Sequence, residues 1–234
     1  MFVDSVLSIA FDRRPVSFLP VGYCIFKDPS NTTSSSFHER MYAIHALKLA
    51  WQKASAEDPT SICKIHAIEP YINALEDIDQ ATQPTISKSS TQSSIQERLE
   101  YLMYRLYVCC FRSKLARSAC LSRCPSDNHR RIFFESMTFN LKEVINAFLS
   151  LKQLSPVATI SWDTLHRTMT SALVLTSVEV VLGAGDSREL LRKLIRSLSP
   201  SSERDSETFD LIVAPYSHGL ETLQYSVDKL AYNA

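Results

Sequence analysis

Apolar positions recur along this chain at the three-and-four spacing of helix faces, and polar stretches separate one run from the next. A first run, Val3, Val6, Leu7, Ala10 and Phe11, ends at Arg13, Arg14 and Pro15. A second opens on Ser36-Phe37-His38-Glu39, a capping box in which a hydroxyl and a carboxylate each accept a free backbone N–H. Met41, Ile44, His45, Leu47 and Trp51 follow it at helical spacing. Ser94-Ile95-Gln96-Glu97 is another such start. Behind it Leu99, Leu102, Met103, Leu106 and Cys110 form one face, and Cys109, Phe111 and Leu115 widen it, so this helix is expected to be buried on more than one side. After Pro125 a helix carries Phe133, Met137, Leu141, Val144, Phe148 and Leu151 and stops before Pro156. Ser161 is expected to cap the next, with Trp162, Leu165, Met169, Leu173 and Val180 on one side. Asp186-Ser187-Arg188-Glu189 starts a short helix through Leu190, Leu191, Leu194 and Leu198. Pro215 begins the last, with Leu220, Leu223, Val227 and Leu230. Pro70 is expected to split 61–79 into two pieces, because its ring removes a hydrogen bond and clashes inside a helix.

The pattern predicts an all-α fold: an irregular multi-helix bundle forming a single domain over 1–234, with flexible polar loops at 27–36, 80–94 and 199–208. The second of these, rich in Ser, Thr and Gln, has too little apolar surface to offset ordering entropy. Composition agrees. Glycine occurs only at 22, 183, 185 and 219, too few for the tight turns of sheets or phosphate-cradling loops. Lysine plus arginine equals aspartate plus glutamate at 25 each, so the chain as a whole offers nucleic acid no basic field. Cys24, Cys63, Cys109, Cys110, Cys120 and Cys124 are scattered through apolar segments, which reads as buried free thiols in a reducing compartment. The longest apolar stretch, near 172–182, is interrupted by Glu179 and too short to span a bilayer, and no membrane partner is expected.

Several constellations invite chemistry and yield to plainer readings. "VVLGAGDSRELL" imitates a strand, Gly-x-Gly and helix, but Arg188 holds the third glycine position and the run belongs to the stripe from Trp162. A helix ending at Gly183 and a new start at Asp186 is the expected form. Cys120, Cys124 and His129, with Cys109 or Cys110 as a fourth, lack the paired spacing of structural zinc sites. Arg98, Arg105, Arg112, Lys114, Arg117, Arg123, Arg130 and Arg131 make a basic run that reads as solvated helix surface. Glu76, Asp77 and Asp79 evoke the aspartate-rich turn of all-α isoprenoid synthases, but the D-D-x-x-D spacing is not met. The six histidines show no H-E-x-x-H pairing, and Ser217 lacks the flanking glycines of a nucleophile elbow. No catalytic, cofactor-binding or metal-ligating residue is assigned, no cofactor is expected, and the chain is read as not an enzyme.

The stretch "DSVLSIAFDRRP" resembles the central motif of the regulatory, or middle homology, domain of fungal binuclear zinc-cluster transcription factors. That motif carries an aspartate, a serine four residues on, an apolar group, then Gly-Arg-Pro and often a second proline. Asp4 and Ser8 match; Ile9, Ala10 and Phe11 fill the apolar places; Arg13 and Pro15 match the arginine and second proline. Asp12 and Arg14 stand where glycine and the first proline are usual. Downstream, "FHERMYAIHALKLAWQKA", "LEYLMYRLYVCCFRSKLARSA" and "SWDTLHRTMTSALVL" follow in an order similar to the family's helices. The resemblance implies an all-α regulatory or effector-binding domain, nuclear, acting in transcription. The six-cysteine DNA-binding cluster and the helices that usually precede the motif are not in this chain, so the stretch reads as the interior of a domain, and DNA is expected only indirectly or through another module. Two alternatives stand beside it. One is a helical interaction module unrelated to transcription, with a second copy or a protein partner on exposed apolar helix faces. The other is an isoprenoid-synthase-like enzyme resting on Glu76, Asp77 and Asp79.

Overall fold

A computed structural model describes residues 37–57, 65–80, 95–120, 127–155, 161–182, 186–199 and 216–232. They hold seven helices and no strand: α1 (Phe37–Glu57), α2 (Ile65–Gln80), α3 (Ile95–Cys120), α4 (Asp127–Leu154), α5 (Trp162–Leu182), α6 (Arg188–Leu198) and α7 (Ser217–Tyr232). The fold is all-α, as the periodicity predicts. The 4–15 motif lies outside the described residues. So do the expected loops, apart from Gln80, which ends α2, and Ser199, which follows α6. The chain divides into two compact units, Met1–Met137 and Thr138–Ala234, with the boundary inside α4.

In the first unit α1, α2 and α3 pack on one another in all three pairs. Met41, Ile44 and Leu47 are buried, as their spacing predicts. Arg40 lies over the Tyr104 ring, His45 stands edge-on to Tyr107 and Trp51 edge-on to Phe111. The partners rise together in number, so α1 and α3 run parallel. Every residue of α3 from Leu106 to Phe111 is buried, which is the burial on several sides expected of that helix. Leu99, Leu102 and Met103, placed on the same face by sequence, are only half-buried.

Pro70 does not divide the second helix, and this corrects the sequence expectation: α2 runs unbroken through it. Proline in a helix interior costs about 3 kcal/mol. Here it falls in the second turn and is exposed, where water can reach the carbonyl that lost its donor. Ile68 and Leu75 lie seven residues apart, two turns along one face, and both are buried. Burying each stabilises by about 1.5–3 kcal/mol, which offsets the cost only if one continuous helix carries both.

In the second unit α7 packs against α5 and α6. The apolar positions expected in α4, Leu141, Val144, Phe148 and Leu151, are buried, as are Leu165 and Met169 of α5 and Leu191, Leu194 and Leu198 of α6. The Leu165 N–H donates to the Ser161 carbonyl at 3.1 Å, so α5 begins where its expected cap stands. Residues 180–182 are helical, so the apolar run before Gly183 belongs to α5 and not to a strand. Gly183 and Gly185 lie outside the described residues. Tyr216 forms a short turn ahead of α7, one residue past Pro215.

Candidate functional site

The acidic end of α2 is a junction between helices. Glu76 and Asp77 are exposed, but Asp79 turns inward. Its Oδ1 accepts a hydrogen bond from the Tyr104 hydroxyl at 2.8 Å, and its Oδ2 pairs with Arg112 Nη1 at 2.8 Å. Both oxygens are therefore engaged by α3, and the side chain ties α2 to α3 with two charge-assisted bonds. The three carboxylates do not act as a set.

The basic run is similarly dispersed. At about 100° per residue, Arg98, Arg105 and Arg112 fall in one line of α3, while Lys114 and Arg117 swing well away from it. Arg112 is paired with Asp79, and Arg131 on α4 pairs at 3.7 Å with Glu135. Arg123 lies outside the described residues.

Cys109 and Cys110 are buried thiols outside any disulfide, and Cys120 is half-buried. Burial pushes the Cys120 thiol up, and Arg130 pulls it back by less, so the thiol form is favoured there. Cys24, Cys63, Cys124 and the His129 side chain lie outside the described residues. Among those described, no three of His, Cys, Asp and Glu gather closely enough to hold a metal ion. No described helix is long and apolar enough to cross a membrane. His45 is buried, whereas His66 and His218 are exposed, each beside a carboxylate three residues on.

The second unit holds polar groups that the apolar stripes did not announce. On α5, Arg167 Nε donates to Asp163 Oδ2 at 2.9 Å, with both side chains 7% exposed. Tyr216 and His166 approach the same region, their rings 6.3 Å apart. Burial, and then the charge of Asp163, push the Tyr216 hydroxyl up to about 12. At the far end of α5, Glu179 is 1% exposed. Its two oxygens accept the Ser187 N–H at 3.1 and 3.3 Å, and Lys142 Nζ of α4 stands 3.9 Å away. Ser187 is the N-cap of α6 and makes no capping bond with its own hydroxyl. Glu179 supplies from another helix the acceptor for the N-cap N–H that an N3 glutamate supplies in a capping box, a position held here by Leu190. Lys152 of α4 donates to the Ser197 carbonyl near the other end of α6, and burial lowers its pKa. The hydroxyls of Thr168 and Thr176 bond back to carbonyls one turn earlier, at 2.8 and 2.7 Å, which lets a polar helix be buried without other partners.

Two signals in the sequence pointed this way. Asp163 and Arg167 are four apart, the spacing of helical ion pairs, and their neighbours Leu165 and Met169 are core residues. Glu179 is a lone acid in an apolar run, and such a charge is buried only with partners. The partners Lys142 and Ser187 come from other elements and could not be named in advance.

The Tyr216 hydroxyl yields a pH test. Its folded pKa is raised above the 10.0 of the free side chain, so between pH 10 and about 12 the unfolded chain releases a proton that the folded chain keeps. Stability from this group is complete below pH 10 and is lost as pH rises through that window. Urea unfolding of Tyr216→Phe at pH 9 and pH 11.5 should show a smaller alkaline loss than the parent. An equal loss in both proteins would place the hydroxyl in water. No family model, curated protein or solved structure matches the chain.

Proposed function

We propose that the chain is a regulatory domain of the kind found in fungal binuclear zinc-cluster transcription factors, acting in the nucleus and reaching DNA through another module or partner. The observation that carries this reading is the "DSVLSIAFDRRP" stretch followed by helices in the family's order, segments that correspond to α1, α3 and α5. The polar links between helices suit such a role: Asp79 ties α2 to α3, and Glu179 ties α5 to the start of α6.

A fusion of the whole chain to a heterologous zinc-cluster DNA-binding domain tests the reading. Reporter output in a fungal cell should change severalfold relative to the DNA-binding domain alone, in activation or in repression. A nuclear, well-expressed fusion that leaves both reporters unchanged would sink it. A second reading, an interaction module outside transcription, draws on Phe139 and Ile132 of α4, large apolar side chains 60% and 50% exposed. It gains ground if the fusion is inert and light scattering finds the chain self-associated.

A further inference from the structure

We propose that the outer face of α6 is a docking surface for the phosphate backbone of double-stranded DNA, bound without regard to sequence. The helix carries Arg188, Arg192, Lys193 and Arg196 against one acid, Glu189. At about 100° per residue the four cations fall within an arc of about 140°. The opposite arc holds Leu191, Leu194, Ile195 and Leu198, all buried. The fold thus anchors α6 by its apolar side and turns its charge outward. Lys193 and Arg196 are exposed, and Arg188 and Arg192 are half-buried. Arg196 stands 3.8 Å from Glu189, but both side chains are largely in water, where such a pair holds little. Among the described residues no ion pair engages Arg188, Arg192 or Lys193.

Charge complementarity selects the occupant. The apolar side of α6 is already buried within the second unit. The band therefore has no apolar centre for a protein partner, whose interfaces keep charge to the rim, and none to bury in a lipid surface. No aromatic side chain lies in α6 to stack a single-stranded base. Arginine, three of the four cations, presents a planar fork of donors that fits phosphate oxygens. Duplex DNA supplies the complement: one negative charge per about 1.7 Å of its axis, against a band about 12 Å long from Arg188 to Arg196. Contacts of this kind position a duplex and read no bases, so sequence-specific binding still falls to another module.

Fluorescence anisotropy of a labelled duplex of random sequence, titrated with the full chain, tests this. The dissociation constant should be about 10⁻⁴ M or lower at ~50 mM salt, and its log–log salt dependence should correspond to about three phosphate contacts. Lys193→Gln with Arg196→Gln, both at exposed positions, should weaken binding at least about tenfold and reduce the dependence to about one contact. The urea midpoint should stay where it was. Glu189→Gln removes the one acid from the band and should tighten binding about twofold, a gain that no folding defect produces. Arg98→Gln, on α3, should leave binding unchanged. No binding at that salt, a salt dependence untouched by the double variant, or equal weakening by Arg98→Gln would overturn the proposal. So would anionic phospholipid vesicles, polyglutamate or an RNA duplex held more tightly than the DNA. The measurements involve no reporter and no DNA-binding module, so they stand or fall separately from the transcription reading.

Discussion

Asp163→Ala is expected to destabilise the second unit by about 3–5 kcal/mol, the usual cost of removing one partner from a buried pair. The loss exceeds the value of the bond because Arg167, 7% exposed, would keep its charge where water cannot solvate it. With a urea slope of about 1–3 kcal/mol per molar, the unfolding midpoint followed by circular dichroism should fall by more than about 1 M. Asp163→Asn should lose nearly as much, since it keeps the shape and removes only the charge. Replacing both partners, as Asp163→Leu with Arg167→Met, should recover most of the loss, because no stranded charge remains. Added salt should do little, in contrast to the exposed Lys53–Glu57 pair, which screening weakens. A midpoint within about 0.3 M of the parent for Asp163→Ala would mean that water reaches the pair.

Glu179→Ala should cost about 2–3 kcal/mol, from the unmet Ser187 N–H and the loss of its charged acceptor. The buried donor has no substitute nearby in sequence, since the N3 residue, whose side chain takes the N-cap N–H in a capping box, is Leu190. Lys142, 30% exposed, can turn to solvent and adds little. Glu179→Gln keeps an acceptor oxygen and should lose about half as much. The damage should also be local: amides in the first turn of α6 should exchange faster than those in its last turn. Equal losses for alanine and glutamine would show that the carboxylate is not the cap of α6.

Helix positions were readable from sequence because the signals are local. Met41, Ile44 and Leu47, or Leu191, Leu194 and Leu198, recur at the helical period whatever surrounds them, and all six are buried. The start of α5 after Ser161 was equally plain. Pro70 was misjudged because the rule against proline is local, whereas its neighbours Ile68 and Leu75 are rewarded only by contacts from elsewhere. The acidic group at the end of α2 was visible as composition, but only the fold divided it. Glu76 and Asp77 face water, while Asp79 meets Tyr104 and Arg112, residues 25 and 33 positions later.

Charge illustrates the division most sharply. Asp163, Arg167, Glu179 and Lys48 are ordinary surface residue types, and all four are buried. Periodicity reports which side of a helix is apolar, but desolvation is set by what packs against that side, and those groups come from distant parts of the chain. The amino-acid sequence by itself determined an all-α chain and the places of its described helices. Tertiary structure alone decided which carboxylates became clasps between helices, because such a clasp forms only where a second helix brings a donor or an opposite charge to the acid.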